Sequence, residues 1–182
     1  MRPIDPAPAD QAAAHPEAVE ATGAGLRAAL RAVASPVVVV TAASVDGPRG
    51  ATIGSFTSVA LDPPLVSFYV TQGTRFHDAL RASERVAVHL LEAGQARLAA
   101  RFAVPDLDST DQFDGVAHHV APGEPPLLAG TLGVLHGTVA RRVPLADHTL
   151  VLVRVERIVP GVAGEPLLYY QQSYRGVGQT VG

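Results

Sequence analysis

The chain has 182 residues, 47% of them hydrophobic, so one domain with one sizeable core is expected. Its net charge of −3 and its pI near 6.1 argue against a nucleic-acid partner, since no basic stripe is present to neutralise phosphates. The apolar runs are far shorter than the ~20 residues of a membrane-spanning helix. The sequence contains no cysteine and no lysine, which excludes disulfides, thiolate chemistry, Walker-type phosphate loops and Schiff-base catalysis.

The N-terminal segment, residues 1–22, is rich in Ala and Pro and has no sustained apolar period. It is predicted to be a disordered or loosely attached tail before a domain over residues 23–182. No secretory signal pattern is present, so a cytoplasmic location is expected. Apolar residues then recur at helical spacing from Gly25 to Val33, which predicts a short amphipathic helix that ends before Pro36.

Runs of β-branched and apolar residues predict five or more strands. The run at residues 37–41 is followed by Asp46-Gly47, which is typical of a tight hairpin into residues 51–53. The other predicted strands are residues 65–70, 86–91, 131–140 and 148–159, and short helices are predicted at 75–82 and 95–102. Because only brief helices separate the strands, the pattern favours a closed or nearly closed antiparallel barrel over a doubly wound sheet.

The sequence does not support three other kinds of site: a dinucleotide site, a metal site and a hydrolase active site. Residues 23–28 match the dinucleotide fingerprint G-x-G-x-x-A, but the tail precedes them where a strand would be needed. His118 and His119 are adjacent, so on a strand their side chains point to opposite faces, and no metal site is predicted. No Ser lies in a G-x-S-x-G elbow, so nucleophilic hydrolysis is not indicated.

The most informative stretch is residues 49–70. Small hydroxyl residues there precede the turn Leu61-Asp62-Pro63-Pro64. Hydroxyls and backbone N–H groups can bind phosphate oxygens, and small side chains leave room for a planar ring. The stretch therefore suits a flat ligand that carries a phosphate, although a solvated strand edge followed by a plain turn has the same composition.

Thr52-Ile53-Gly54-Ser55-Phe56-Thr57-Ser58 followed by Asp-Pro-Pro resembles the signature of the flavin reductase-like family on the FMN-binding split barrel. The similarity continues in order over roughly residues 24–175, for example in GTRFHDALRASERVAVHLL from Gly73 and DHTLVLVRV from Asp147. It implies a mainly β domain with short helices, namely a six-stranded antiparallel split barrel that forms a homodimer. It also implies an NAD(P)H:flavin oxidoreductase, which passes hydride from NADH or NADPH to FMN or FAD and supplies reduced flavin to a partner monooxygenase.

The resemblance assigns the flavin to residues of this motif and of three later segments. They are Thr52, Ile53, Gly54, Ser55, Ser58, Leu61, Asp62, Thr74, His89, Arg101 and Phe102. Gly54 stands where the family commonly has Ser, and His89 where it frequently has Asn. From the residues alone, Thr74 is equally well explained as a helix cap and Arg101 as a solvated helix-end cation, and His89 is better explained as a core histidine bonded to backbone.

The resemblance also assigns His148 to chemistry or to placement of the nicotinamide, with Tyr174 near the pyridine nucleotide. Asp147-His148 preserves the family pair, whereas Ala146 replaces the usual Gly, which favours positive φ. A surface histidine at a strand start is the alternative for His148. Tyr169 and Tyr170 are predicted to pack within a strand. With neither a charged catalytic pair nor a metal assigned, catalysis is expected to rest on positioning.

Two other functions remain open, because a fold does not determine a function. One is a non-enzymatic flavin-binding or carrier protein on the same barrel. The other is a flavoprotein that keeps its flavin and reduces a different acceptor. The sequence does not separate FMN from FAD or NADH from NADPH, and it does not identify a partner oxygenase.

Overall fold

The computed structural model describes residues 18–105 and 107–178. Its helices are α1 (Gly23–Leu30), α2 (Arg75–Ala82), α3 (Ala96–Phe102) and α4 (Ser109–Phe113). Its strands are β1 (Ser35–Pro36), β2 (Val38–Ala42), β3 (Arg49–Ile53), β4 (Thr57–Leu61), β5 (Pro64–Thr71), β6 (Arg85–Leu90), β7 (His118–His119), β8 (Leu127–Leu128), β9 (Gly133–Leu145), β10 (His148–Pro160), β11 (Leu168–Tyr170) and β12 (Ser173–Arg175).

Seven strands form one antiparallel sheet in the order β3-β2-β6-β9-β10-β5-β4. Two small sheets, β1-β11-β12 and β7-β8, lie beside it. A mainly β fold with short helices was expected, and the structure has it. The main sheet, however, holds seven strands where six were expected, and no hydrogen-bonded pairing of its edge strands β3 and β4 closes it within the described residues. The additional strand, β4, is almost wholly exposed, so it lacks the apolar alternation that marks a half-buried strand.

Strand β2 divides the core in two. All five of its residues are buried, because the sheet is covered on both faces at this point. Successive side chains of a strand point to opposite faces. Val38 and Val40 therefore pack in one cluster with Phe68 and Leu80, whereas Val39 packs in the other with Phe102. This explains why residues 37–40 form an unbroken apolar run in the sequence.

Strands β9 and β10 form a long hairpin of two 13-residue strands. Along β10, Thr149, Val151, Val153 and Val155 are buried and the residues between them are more exposed, which is the period of a sheet with one covered face. Register shifts at Leu152/Val153 and Val155/Arg157 interrupt the pairing with β9. The hairpin joins β6 to β5 and places His148 at the edge of the first core cluster.

The turn of this hairpin has a strained residue. Leu145 and His148 are paired, and Ala146 between them has a φ of 50°, in the left-handed region. That conformation is about 1–2 kcal/mol less favourable for alanine than the right-handed one, whereas glycine adopts both readily. After allowing for the entropy that glycine loses on folding, we expect Ala146→Gly to raise the free energy of unfolding by about 0.5–1 kcal/mol. Urea unfolding of both proteins measures the change; an equal or lower midpoint for the variant would contradict it.

Helix α1 packs little against the rest of the chain. None of its residues is buried, and Leu26, Leu30 and Val33 remain 60%, 55% and 55% exposed. Residues 18–22 before it are in no regular element, so the fingerprint at residues 23–28 follows no strand of the described chain. Most of the predicted tail, residues 1–17, lies outside the described residues, and its character stays a prediction.

No helix among the described residues is long and apolar enough to span a membrane. The same residues contain no cluster of three or more His, Asp or Glu side chains that could hold a metal ion. His118 and His119 are exposed in β7, where Nδ1 of His118 donates a hydrogen bond to the carbonyl of Val116.

Candidate active site

A cavity of about 330 Å³ lies between β3, the end of β5, the N-terminus of α2 and the C-terminal end of α3. We call it the β3–α2 cavity. Seven residues that the sequence assigned to flavin or nicotinamide line it: Thr52, Ile53, Gly54, Ser55, Thr74, Phe102 and His148. They come from four separate segments of the chain, so the fold brings them together. The cavity volume lies at the lower end of the range of ligand pockets.

The hydroxyls of β3 and of the segment after it are already hydrogen bonded to the protein. Thr52 Oγ1 donates its proton to the carbonyl of Ala99 at 2.6 Å, which ties β3 to α3. Ser55 Oγ accepts from the backbone N–H of Tyr69 at 3.0 Å, which ties the cavity wall to β5. The Thr52 oxygen thus keeps acceptor capacity but no proton, and it suits a ligand N–H or O–H better than a phosphate oxygen.

Thr74 is the N-cap of α2. Its hydroxyl accepts from the backbone N–H of His77 at 3.2 Å and donates to the carbonyl of Thr71 at 3.0 Å. The capping explanation of this residue is therefore correct. The position is nevertheless on the cavity wall, where the N-terminal end of α2 contributes partial positive charge.

Two arginines lie on this wall, and one of them is paired with an acid. Arg49 lies at the start of β3, and its Nη1 donates to the carbonyl of Leu107 at 2.9 Å. Arg75 is the first residue of α2 and forms an ion pair with Asp108. Both line the cavity beside Thr74. Sequence reasoning selected neither Arg49 nor Arg75 as a flavin contact, because an isolated Arg carries no positional signal.

Phe102 and Gln112 form the inner end of the cavity. Phe102 is 2% exposed and packs edge-on against Phe113 at 5.1 Å between ring centroids. Gln112, on α4, accepts from the N–H of Gly50 and donates to its carbonyl, each at 2.9 Å, as a neighbouring strand would. A Cβ at Gly50 would lie 2.7 Å from the Phe102 ring, so only glycine lets α3 approach β3 this closely. Gln112 was not anticipated because α4 itself was not predicted.

His148, the first residue of β10, is held between two partners. Its Nδ1 donates to Asp147 Oδ1 at 2.7 Å, and its Nε2 lies 3.3 Å from the Thr71 hydroxyl. The hydrogen bond from His148 lowers the pKa of Asp147, so the carboxylate remains ionised across the neutral range. Gln72 fixes the backbone by donating to the His148 carbonyl at 2.6 Å. The imidazole is thus oriented but still 42% exposed.

His148 also borders a second, larger space. This groove, of about 600 Å³, lies between α1 and the turn joining β11 to β12, and we call it the α1 groove. Tyr169, Gln171 and Gln172 line it together with the exposed apolar side of α1. His148 is therefore shared by the β3–α2 cavity and the α1 groove.

Tyr174 lines neither space. It is half-buried in β12, where its ring packs edge-on against Tyr169 at 5.4 Å, and burial raises the pKa of its hydroxyl. Tyr169, which was expected to pack within a strand, lies in β11 against Tyr174 of β12 and is 41% exposed where it lines the α1 groove. Tyr169 and His148 both line this groove, whereas Tyr174 does not.

His89 lies in the core, away from the cavity. It is fully buried, its Nδ1 donates to the carbonyl of Val39 at 2.9 Å, and its Nε2 accepts from the N–H of Leu128 at 3.1 Å. Burial lowers its pKa to about 4; the bond to Val39 opposes this shift and the nearby His136 adds to it. This geometry is that of the core histidine considered as the alternative, and it leaves no ring nitrogen for a ligand.

Four other assigned residues also lie off the cavity. Arg101 donates to the carbonyls of Asp111 and Asp114 and thereby caps the C-terminal end of α4. Ser58 and Leu61 are on the exposed edge strand β4, and Asp62 follows it in the turn to β5. The Asp62–Pro63 peptide bond is cis. The motif thus divides at Ser55, after which the chain turns away from the cavity.

Comparison with known proteins identifies the family of the chain. A family model described as the flavin reductase like domain matches residues 30–178. The chain belongs to the flavin reductase-like family. It is 40% identical over 171 residues to an NADH:FMN oxidoreductase of Rhodococcus qingshengii, and the match covers 90% of this chain and 87% of that protein. It is 33% identical over 153 residues to the reductase subunit of a flavin-dependent monooxygenase of Mycobacterium tuberculosis, covering 83% and 80%.

The fold agrees with solved members of the flavin reductase-like family. An NADH:FAD oxidoreductase of Streptomyces globisporus superimposes with a TM-score of 0.79 at 32% identity, covering 92% of this chain and 96% of that one. The styrene monooxygenase flavin reductase of Pseudomonas putida superimposes with a TM-score of 0.76 at 31% identity, covering 86% and 99%.

Gly54 is where this flavin reductase-like chain departs from the commoner Ser. A Cβ at Gly54 would lie 3.9 Å from its nearest neighbour, Ser35, so the cavity wall has room for a side chain. We expect Gly54→Ser to fold normally and to lower the Kd for FMN about 2- to 10-fold, as one additional net hydrogen bond would. Titration of the flavin fluorescence measures both proteins. A weaker affinity in the serine variant would show that the hydroxyl clashes with the ligand.

Proposed function

We propose that this chain is an NADH-dependent flavin reductase that reduces FMN or FAD and releases the reduced flavin to a separate monooxygenase. The observation that carries the proposal is the β3–α2 cavity, which gathers the motif residues and shares His148 with the α1 groove. The named activities of the Rhodococcus and Mycobacterium relatives support the donor and the partner. The cytoplasmic location expected from the sequence stays a prediction.

The groups on the cavity wall suit a flavin nucleotide. Arg49, Arg75 and the N-terminal end of α2 supply positive charge for a phosphate, while Thr52 supplies an acceptor for a ligand N–H or O–H. The Ile53 and Phe102 side chains contribute apolar surface for a ring. His89, Arg101 and Tyr174 are omitted from the proposed contacts, because each is bonded or packed elsewhere.

In this proposal His148 helps to position the two reacting rings. When bound, the flavin ring supplies the electrophile that accepts a hydride from the reduced nicotinamide. Asp147 and Thr71 hold the imidazole at the boundary between the two spaces, so that a nicotinamide entering from the α1 groove meets the flavin there. Tyr169 offers a face for the nicotinamide ring within that groove. Holding both rings in reactive geometry is the main contribution that the protein makes.

Anaerobic absorbance measurements test the assignment. Purified protein is mixed with FMN or FAD and then with NADH or NADPH, and the flavin band is followed. Rapid bleaching that requires the protein and saturates with free flavin is expected with NADH. Tight flavin binding with no bleaching by either nucleotide would refute the reductase and favour a flavin carrier. Bleaching without exchange of bound flavin would favour a flavoprotein that reduces another acceptor.

We also propose that the chain forms a homodimer through the β4 edge. Leu61 and Val59 on this edge strand are 87% and 50% exposed, and an exposed apolar strand edge is a ready surface for pairing. In this arrangement Ser58, Leu61 and Asp62 lie at the interface of the two copies. The departure of the motif from its own cavity after Ser55 supports this placement.

The variant Leu61→Asp tests the dimer. Placing a carboxylate in a buried apolar contact is expected to raise the dimer dissociation constant by about 10-fold or more. Light scattering coupled to gel filtration over a dilution series measures it. Val45→Asp is the control, since Val45 is 97% exposed in a turn away from β4. Equal dissociation constants for the two variants would place the interface elsewhere.

A further inference from the structure

A second cavity, also of about 330 Å³, lies on the other side of α2, and neither flavin reduction nor dimer formation makes use of it. We call it the α2–β10 cavity. Its lining consists of Val70, Gln72, His77, Leu80, Arg81, Arg142, Pro144, Thr149 and Val151. It shares only Val70 with the β3–α2 cavity. The two spaces are therefore separate sites on opposite sides of one helix.

The strand wall of this cavity is a single face of the sheet. Pro144 pairs with Thr149 and Arg142 pairs with Val151 across the β9–β10 hairpin, and Thr149 pairs with Val70 of β5. Paired and alternate residues share one face, so these side chains point to the same side. Val70 and Val151 are buried at 5% and 1% exposure, which makes the floor apolar.

The helical wall is contributed by His77, Leu80 and Arg81 of α2. Residues three and four positions apart lie on one face of a helix. Leu80 is 1% exposed and continues the apolar floor, whereas Arg81 is exposed at the rim. His77 Nε2 lies 3.0 Å from the Thr149 hydroxyl, and its buried Nδ1 has no hydrogen-bond partner among the described residues.

The rim carries two positive charges that no lining acid neutralises. Arg142 donates to the carbonyls of Leu80 and Ser83, which are neutral acceptors, and so retains its full charge. The Arg81 side chain makes no hydrogen bond or ion pair within residues 18–105 and 107–178. The lining includes no Asp or Glu; the nearest acid to His77 is the exposed Asp78, at 3.9 Å from Nδ1.

We propose that the α2–β10 cavity binds a small molecule with an apolar body and one carboxylate. The body lies on Val70, Leu80 and Val151, and the carboxylate meets Arg81 at the rim, with the second Nε2–H of Gln72 as a neutral donor. A guanidinium binds a carboxylate through a planar pair of hydrogen bonds. A bare inorganic anion would leave the apolar floor uncovered, so the body is part of the recognition.

Calorimetric titration of the full chain tests this site, with benzoate as the probe and benzamide as its uncharged analogue. The protein is first saturated with FMN, so that the β3–α2 cavity is filled. We expect saturable binding of benzoate at one site per chain, and binding of benzamide at least 10-fold weaker. Arg81→Gln is expected to weaken benzoate about 10-fold, and Arg81→Glu to abolish binding at the concentrations that saturate the unaltered protein.

Arg97→Gln is the matched control, because Arg97 is an exposed helical arginine on α3 that lines neither cavity. It should bind benzoate as the unaltered chain does. The proposal is overturned if Arg81→Glu binds benzoate normally, if inorganic phosphate binds as tightly, or if benzoate does not bind to the FMN-saturated protein. Since Arg81 lies outside the β3–α2 cavity, NADH-dependent flavin reduction by each variant reports on the proposed function independently.

Discussion

Replacing His148 with asparagine is expected to lower kcat/KM for NADH-dependent flavin reduction about 100-fold, while the Kd for flavin changes only a few-fold. The ring is fixed by Asp147 and Thr71 at the boundary of the two spaces, and a misplacement of about 1 Å in a reacting pair costs roughly 100-fold in rate. Asparagine is too short to reach the same position from β10. Most of the loss should therefore appear in hydride transfer.

Single-turnover mixing of NADH with the flavin-loaded protein separates binding from hydride transfer in this variant. Asp147→Asn should give a smaller loss, because it removes the charge that orients the ring but leaves the ring itself. His119→Asn is the control, since His119 is exposed in β7 and lines neither the cavity nor the groove. If the His148→Asn protein reduces flavin at the original rate, His148 is only a surface histidine at the start of a strand, which is the alternative interpretation.

The sequence predicted best those elements whose pattern is repeated over many residues. The β10 strand alternates over its length and was predicted within one residue of its observed bounds, and α2 coincides with its prediction because Thr74 and the apolar spacing mark it clearly. The exposed strand β4 and the five-residue helix α4 were missed as elements, because neither buries a periodic face. The small sheet of β1, β11 and β12 was not predicted either, because it depends on contacts between the two ends of the domain.

The candidate site was likewise predicted only in part from the sequence. The motif gave Thr52, Gly54 and Ser55, which the fold places on the cavity wall, but a linear motif does not reveal where the chain leaves the site. Arg49 and Gln112 are recognised only once β3 is seen to pack against α3 and α4. Composition likewise does not separate a ligand histidine from a core histidine, since the difference lies in the backbone groups around the ring.

His89 is expected to make the fold sensitive to acid. Its Nε2 accepts from the Leu128 N–H and its Nδ1 donates to Val39, so the ring is held in one neutral tautomer. Protonation of Nε2 breaks the bond to Leu128. Burial lowers the folded pKa to about 4, whereas the unfolded chain takes up the proton near 6.5. The unfolded state therefore binds more protons between these two pH values, and stability falls as pH is lowered through this window.

We expect His89 to cost the unaltered protein about 3 kcal/mol of unfolding free energy between pH 6.5 and pH 4. In His89→Asn the side chain offers one donor and one acceptor but does not titrate. The slope of its unfolding free energy against pH should therefore be smaller than that of the unaltered protein, by about 1.4 kcal/mol per pH unit. Urea unfolding at several pH values gives both slopes. His136, whose pKa is also lowered by burial, is present in both proteins, so its own burial contributes to both slopes. Equal slopes for His89→Asn and the unaltered chain would show that the acid sensitivity arises elsewhere.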